Sequence, residues 1–264
     1  MFVIEDLKRD VCEELIKTGK NVMITGATGS GKTSFCLELA ESLGMEPYIV
    51  NCGSTQDARI TLLGSYELIK GETNFVYSPF IEAIQKENVL IIFDELSRAS
   101  DDAYNILFPL LDFRKSLKVD ETGDTFSVSK TVKFIATANI GSEYSSTRSI
   151  DRALADRFLM FGLDYISGKQ LKEYCNTIFD ILPEQEESLT NVCKIYDFVL
   201  KLYNNDEIST RISPRTIINC VDLFRKFSFT DVFNTLIVSY FEEDTSVSSE
   251  VNTIRMFMDS NGIK

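Results

Sequence analysis

One eight-residue segment constrains this 264-residue chain more than any other feature, because it predicts both a backbone conformation and a type of ligand. Gly26 to Thr33 read Gly-Ala-Thr-Gly-Ser-Gly-Lys-Thr and fit the pattern GxxxxGK[ST]. An apolar run at Asn21–Thr25 precedes the segment, and a helix-forming run begins at Lys32. The glycines let the backbone curl so that its N–H groups, with the following helix N-terminus, point at phosphate oxygens. The pattern therefore predicts a phosphate-binding loop between a buried strand and a helix.

The side chains at the end of this loop have predicted roles. Lys32 is expected to neutralise the β- and γ-phosphates of a nucleotide, and the Thr33 hydroxyl is expected to ligate Mg²⁺. The residues predicted to bind the nucleotide are Gly26, Ala27, Thr28, Gly29, Ser30, Gly31, Lys32, Thr33 and Ser34.

Polar side chains also follow two apolar strands further along the chain. Val89–Phe93 is followed directly by Asp94 and Glu95, and ligands of open parallel sheets bind beyond the carboxyl ends of strands. Asp94 is predicted to hold hydrated Mg²⁺ and Glu95 to orient and polarise the attacking water, a base role that no imidazole can take because the chain has no histidine. Asn139 ends the next strand and is predicted to sense the γ-phosphate, because its amide both donates and accepts hydrogen bonds.

Hydrophobic periodicity predicts two domains, one at residues 1–163 and one at 164–264. In the first, short β-rich apolar runs alternate with amphipathic helical runs, which is typical of a parallel sheet joined by crossover helices. The five predicted strands are Asn21–Thr25, Tyr48–Asn51, Val89–Phe93, Val132–Thr137 and Phe158–Leu163. The predicted helices of this domain are Leu7–Lys17, Lys32–Leu43, Pro79–Lys86 and Asp101–Phe113. From Gly168 the spacing is helical throughout, which predicts an all-α second domain.

Composition excludes several classes of protein. Lys and Arg number 27 against 40 Asp and Glu, and this net charge of −13 disfavours non-specific binding to nucleic acid or anionic lipid. The apolar runs are too short for a membrane span, and residues 1–20 lack a signal-peptide pattern, so a cytoplasmic location is expected. The six cysteines form no CxxC pair, which predicts reduced thiols rather than disulfides or a zinc site.

In this order, the motifs resemble those of the AAA+ ATPases, and more narrowly the MoxR-like and dynein-related branch that includes CbbQ/NorQ-type and CobS-type proteins. The resemblance covers nearly the whole chain. Its most specific part runs from Leu62–Tyr66 to Phe75–Ala83 and is similar to the helix-2 insertion of that branch. The hairpin predicted before Val132 resembles the pre-sensor insertion, and Ala136–Asn139 resembles sensor 1. Ser78 stands where many relatives have glycine.

The resemblance implies a P-loop NTPase fold, with a three-layer αβα core, a five-stranded parallel sheet, inserted β-hairpins and an all-α lid, that binds ATP and Mg²⁺. It identifies Arg157, in an Asp-Arg-Phe sequence, as an arginine finger for the nucleotide of a neighbouring subunit, with Arg152 second and Arg148 third. A guanidinium suits this role because it stays charged and forks onto phosphate oxygens. Arg215 resembles sensor 2, which contacts the γ-phosphate in the same subunit. From the residues alone, each finger candidate also fits a surface arginine that pairs with Asp151 or Asp156.

The resemblance also implies an assembly and a type of work. A finger acting on a neighbour requires a ring, for which a homohexamer is expected, because heterologous contacts that close generate rings. Hydrolysis in this ring would remodel or activate another protein, and relatives often act with a von Willebrand factor A-type partner. Three alternatives stay open: a nucleic-acid-processing motor like McrB, a monomeric P-loop kinase of small molecules, and a nucleotide-gated scaffold that turns over slowly.

The two insertions are predicted to be β-hairpins, at residues 62–77 and 117–132, because turn residues separate short alternating runs there. Four apolar side chains of the first hairpin have two interpretations: they line a pore or grip a partner, as insertions of this branch are thought to do, or they form the core of the hairpin. These residues are Tyr66, Leu68, Phe75 and Tyr77.

Overall fold

A computed structural model describes residues 6–54, 57–139, 151–241 and 249–263. The strands are β1 (Val22–Thr25), β2 (Glu46–Asn51), β3 (Gly64–Ile69), β4 (Glu72–Tyr77), β5 (Val89–Asp94), β6 (Ser116–Lys118), β7 (Thr125–Ser127), β8 (Lys133–Ala138) and β9 (Leu159–Gly162). The α-helices are α1 (Asp6–Lys17), α2 (Lys32–Ser42), α3 (Ala58–Leu62), α4 (Pro79–Gln85), α5 (Asp101–Leu111), α6 (Arg152–Ala155), α7 (Gly168–Ile178), α8 (Pro183–Asn204), α9 (Pro214–Leu223), α10 (Phe229–Val232) and α11 (Glu250–Ser260).

Contacts divide the chain into two compact units. The α/β unit contains the described residues up to 27 together with 31–164. The helical unit contains residues 28–30 and the described residues from 165 onward.

A five-stranded parallel sheet forms the centre of the α/β unit, in the order β2-β5-β8-β1-β9. Alternate residues of the strands face opposite sides: Met23 and Ile91 pack with α3, α4 and α5, whereas Ile24 and Ile92 pack with α1 and α2. Because both faces are covered, the interior strand β5 is apolar at every position up to Asp94. The predicted five-stranded parallel sheet and three-layer αβα core are confirmed.

The two predicted hairpins are present, and they pack against each other. In β3–β4, the turn at Lys70 and Gly71 has positive φ values of 51° and 87°. The strands β6 and β7 of the second hairpin are three residues each, so pairing is shorter than the 117–132 segment suggested. The Tyr77 ring lies 5.0 Å from that of Phe126, edge to face, and the Tyr77 hydroxyl donates to Asp124. The hairpins therefore form one composite surface.

The two interpretations of the first hairpin apply to different side chains. Phe75 is half-buried and contacts the rings of Tyr66 and Tyr77 at 5.2 and 5.3 Å, which is the packing expected of a small aromatic core. Leu68, near the hairpin turn, is 75% exposed. Ser78, after β4, has a φ of −69°, so glycine's conformational freedom is not needed at this position.

The helical unit has its own apolar core, centred on the fully buried Tyr196 of α8, whose hydroxyl donates to the Ile166 carbonyl at 2.9 Å. A capping box of Ser167 and Gln170 begins α7. The all-α prediction for this region is confirmed. Every helix within the described ranges is too short or too polar to cross a bilayer.

All six cysteines are free and buried. Burial disfavours the thiolate, and it raises the pKa of Cys12, Cys52 and Cys220 to about 12 and that of Cys175 to about 11. Burial also raises the pKa of Cys36 and Cys193. The thiols are therefore core side chains that stay protonated.

This protonation predicts a loss of stability in alkaline solution. Thiols of the unfolded chain have a pKa of about 8.5, whereas the folded thiols keep their protons above that pH. The free energy of unfolding therefore falls above about pH 8.5 by up to about 1.4 kcal/mol per pH unit per thiol. Thermal denaturation in reductant, from pH 7.5 to 10, should show this fall. The Cys220→Ala variant should show a shallower fall, and equal slopes for the two proteins would contradict the assignment.

Candidate functional site

The phosphate loop follows β1 at the carboxyl edge of the sheet. Gly29 and Gly31 have φ values of 79° and 87°, a left-handed conformation that favours glycine, and Gly31 caps the N-terminus of α2. Helix α2 begins at Lys32, so its unpaired N–H groups face the loop. This is the strand–loop–helix arrangement that the sequence predicts.

Two polar side chains of the loop are buried in a way that suits a phosphate ligand. Lys32 is 8% exposed, and its ammonium donates to the carbonyls of Gly26 and Ala27 at 3.1 and 2.7 Å, which holds its charge inside the curve of the loop. The Ser30 hydroxyl is buried and has no hydrogen-bond partner among the described residues. A buried polar atom without a partner is rare, and a bound anion would supply one here.

Asp94 is held at the end of β5 by two hydroxyl groups. The Thr33 and Thr137 hydroxyls donate to the same oxygen, Asp94 Oδ1, at 2.8 and 2.6 Å. The Thr137 hydroxyl also accepts from the Glu95 N–H at 2.9 Å. Thr137 was not singled out from the sequence, because its contact depends on β8 lying beside β5.

The Thr33 and Asp94 oxygens fit a magnesium ion. Mg²⁺ prefers hard oxygen ligands and is usually bound through one or two carboxylates together with substrate phosphates and waters. Within the described ranges no cluster of three or more His, Cys, Asp or Glu side chains offers a dedicated metal cage. A site that shares its metal with a nucleotide does not need one.

The Glu95 carboxylate is turned toward the loop that follows β2. Arg98 donates to Glu95 Oε2 at 2.9 Å, as an ion pair within the short 3₁₀ turn Leu96–Arg98. A β-carbon at Gly53 would overlap the same oxygen. The Asn51 side chain accepts from the Gly53 N–H at 3.1 Å and fixes this turn. Glu95 itself has a φ of 54°, an uncommon conformation for a residue with a side chain.

The contacts of Gly53 and Arg98 with Glu95 were not predicted from the sequence. Gly53 is one of 13 glycines, and its importance depends on the packing of β2 beside β5. Arg98 lies three residues after Glu95, and this spacing was the one available signal for an ion pair.

Asn139 lies at the same edge of the sheet as the acidic pair and the phosphate loop. It directly follows β8, which lies between β5 and β1, and it is 5% exposed. Its N–H donates to the Ser97 hydroxyl at 3.4 Å, and the Gly26 N–H donates to the preceding carbonyl, that of Ala138, at 3.3 Å. This position suits the predicted role of a γ-phosphate sensor, which stays a prediction.

Arg157 lies at the opposite, amino edge of the sheet, two residues before β9 begins. Its guanidinium is 4.5 Å above the Phe108 ring, and its Nη2 is 3.9 Å from Asp112 Oδ2. It also donates to the Ala153 carbonyl. Asp112 is therefore the ion-pair partner of Arg157, rather than the adjacent Asp156.

The remaining finger candidates differ from Arg157. Arg152 is exposed in the first turn of α6, where the Asp151 side chain accepts from the Leu154 N–H as a helix cap. Arg148 lies outside the described residues.

Arg215 belongs to the helical unit and is exposed in the first turn of α9. Ser213 caps that helix by accepting from the Thr216 N–H. Within the same unit, which includes residues 28–30, a β-carbon at Gly29 would lie 3.0 Å from that of Ser213. The sensor-2 role of Arg215 stays a prediction.

Comparison with known proteins adds a family and a fold. The profile of the family described as AAA domain (dynein-related subfamily) matches residues 21–158. An uncharacterized protein of Staphylococcus saprophyticus is 26% identical over 255 residues, which cover 92% of this chain and 93% of that protein. One of Staphylococcus haemolyticus is 27% identical over 249 residues and covers 92% of each chain.

Two solved structures are similar at the level of the fold. NtrX from Brucella abortus in complex with ADP has a TM-score of 0.54 at 16% identity, over 94% of this chain and 52% of that one. The chain thus spans about half of NtrX. A putative ATPase from Cytophaga hutchinsonii has a TM-score of 0.52 at 15% identity, over 96% of this chain and 88% of that one.

The contact between Gly53 and Glu95 predicts a defect in nucleotide hydrolysis. In a Gly53→Ala variant the new methyl group would displace the Glu95 carboxylate, and the turnover number should fall about 10- to 100-fold while nucleotide affinity stays unchanged. Gly162→Ala is the matched control, because a β-carbon there meets nothing within 4 Å and no positive φ opposes it. Equal turnover in both variants would show that hydrolysis does not depend on the position of the Glu95 carboxylate.

Proposed function

The chain belongs to the dynein-related subfamily of AAA domains, and on this premise we propose that it is a MoxR-like ATPase that acts as a ring. Each ATP would be hydrolysed between two neighbouring copies, and the released energy would remodel or activate another protein. The observation that carries this proposal is the location of Arg157 at the opposite edge of the sheet from the phosphate loop of its own chain.

The parallel sheet separates Arg157 from the phosphate loop of the same chain. Asn21, which donates to the Arg157 carbonyl, is the residue before β1, and Gly26 of the phosphate loop is the residue after it. Four strand residues span about 13 Å. An arginine at the amino edge of the sheet lies away from the nucleotide bound by its own subunit. This position supports a role as an arginine finger for the nucleotide of the next subunit. Such a head-to-tail contact, repeated, closes a ring.

The α/β unit offers the groups that the reaction needs. Lys32 would bind the β- and γ-phosphates, and Thr33 and Asp94 would hold Mg²⁺, which when bound offsets the charge of the phosphate oxygens. Glu95 would orient the attacking water and accept its proton. Its ion pair with Arg98 would hold the carboxylate in a fixed position for this role.

The arginine finger would complete the reaction from the neighbouring copy. Arg157 would place its guanidinium against the γ-phosphate, where negative charge is redistributed as the bond to the leaving group breaks. Its contacts with Phe108 and Asp112 hold the side chain at the surface in advance. Arg157 is favoured over Arg152 because packing limits its conformations, whereas Arg152 is exposed.

The hairpins supply the surface through which a partner protein would be engaged. Leu68 and Tyr66 are 75% and 58% exposed, whereas the packing of Tyr77 on Phe126 anchors the base of the hairpin. Exposed apolar groups on an anchored hairpin suit contact with a protein. A von Willebrand factor A-type partner belongs to this proposal as well.

Mixing two inactive variants tests the shared site. Lys32→Ala lacks a working nucleotide site but keeps its finger, and Arg157→Ala keeps its site but should lose about 10³-fold or more in turnover. In an equal mixture, about a quarter of the contacts pair an intact site with an intact finger, so measurable ATP hydrolysis should return.

The single variants, measured at the same total concentration, are the controls. A mixture that stays as inactive as its components would contradict the proposal. Full activity of Arg157→Ala alone would do the same. Size-exclusion chromatography with ATP separates the ring from a monomeric kinase, which would not assemble.

Capture of the client tests the remodelling role. Glu95→Gln should bind ATP without hydrolysing it and should retain a client protein in cell extract. Adding Leu68→Ser should weaken that retention, because a client contact on the hairpin would be lost. Leu7→Ser is the matched control, since Leu7 is 73% exposed but lies on α1. Recovery of nucleic acid without protein would instead favour a McrB-like motor.

A further inference from the structure

Asn21 joins three segments of the α/β unit at the amino edge of the sheet. The residue is 9% exposed, and its Nδ2 donates to the Leu111 carbonyl at the end of α5 and to the Arg157 carbonyl, at 2.9 and 3.0 Å. The Asn21 carbonyl in turn accepts from the Leu159 N–H at 2.9 Å. Both amide protons are therefore used on carbonyls from distant parts of the chain.

These contacts fix the backbone of Arg157 but leave room for its side chain. The guanidinium lies beside an open cavity of about 430 Å³, whose lining includes Lys20, Asp112, Phe113 and Lys115. Arg157 Nε is buried without a hydrogen-bond partner among the described residues. The backbone of Arg157 is thus tied to Asn21, while its guanidinium packs on Phe108 and borders this cavity.

Asn21 also connects this base to the phosphate loop. It directly precedes β1, whose residues Val22, Met23 and Ile24 are at most 1% exposed and whose backbone pairs with both β8 and β9. A strand enclosed in this way moves as a rigid piece, because close-packed interiors transmit displacement. The phosphate loop lies at the carboxyl end of β1. Arg157, which would act on the nucleotide of another subunit, lies at the amino end.

We propose that Asn21 is the positioning residue of the arginine finger: its amide ties Arg157 to β1, so that the phosphate loop of one subunit sets the finger that serves its neighbour. The inference rests on the proposed function. Asn21 touches no substrate and acts only through Arg157. Its removal should impair the finger that a subunit provides and spare the nucleotide site that the subunit contains.

The test uses Asn21→Ala in two mixtures. Alone, this variant should bind ATP as the wild type does but turn over about 10- to 100-fold more slowly, because a small displacement of a catalytic group costs this much. Mixed with Lys32→Ala, which provides intact fingers, it should regain hydrolysis. Mixed with Arg157→Ala it should not, because neither protein provides a well-placed finger.

The reverse pattern would overturn the inference. If Asn21→Ala damages its own nucleotide site, the mixture with Lys32→Ala stays inactive and the mixture with Arg157→Ala regains activity. Wild-type turnover of Asn21→Ala alone would also overturn it. If the reference mixture of Lys32→Ala with Arg157→Ala stays inactive, the shared-site function fails, and this inference fails with it.

Two further variants separate positioning from general stability. Gln185→Ala removes a buried amide that accepts from the Leu182 N–H in the helical unit and makes no contact with Arg157, so it should lower the melting temperature without a loss of turnover. Asn21→Ser keeps a hydroxyl donor and should retain more finger activity than Asn21→Ala in the mixture with Arg157→Ala. If Asn21→Ala folds poorly, Asn21→Ser is tested in both mixtures instead. It too should give more hydrolysis with Lys32→Ala than with Arg157→Ala, and the opposite order would overturn the inference.

Discussion

Two threonine hydroxyls that donate to one oxygen of Asp94 hold the site together. Thr33 comes from the first turn of α2 and Thr137 from β8, so the phosphate loop, the acidic strand and the neighbouring strand are joined at one atom. Because Thr137 also accepts from the Glu95 N–H, the same network sets where Glu95, the proposed general base, leaves the sheet. Hydrogen bonds to a carboxylate are stronger than those between neutral groups, so this junction is well suited to keep the geometry constant between turnovers.

The parallel sheet places the candidate functional residues at two opposite edges. Its carboxyl edge carries the phosphate loop, the acidic pair and Asn139, and its amino edge carries Arg157 and Asn21. In the proposed function, one chain therefore presents the two halves of a reaction site at opposite edges of its sheet, and each half would act with the complementary half of a neighbouring copy. This separation, rather than any single residue, is the physical reason to expect an assembly in which each copy serves the next.

The alternating apolar side chains of the first hairpin divide into those that pack and those that stay exposed. Alternation along β3 and β4 predicted a hairpin with apolar side chains but left open whether they pack or remain free. Tyr77 packs on Phe126 of the second hairpin and Phe75 packs on Tyr77, whereas Leu68 is 75% exposed. The outcome depends on which hairpins become neighbours, and local periodicity carries no information about this.

The sequence by itself determined the parallel αβα core, the phosphate loop and the positions of Asp94, Glu95 and Asn139, because strand periodicity, glycine geometry and strand-end chemistry are local properties. Only the tertiary structure decided the partners of these residues: Thr137 on Asp94, Gly53 and Arg98 on Glu95, and Asn21 on Arg157. These contacts join residues up to 136 positions apart and arise from the strand order β2-β5-β8-β1-β9. That order results from the burial of whole faces of the sheet, a property of the assembled core that no short segment contains.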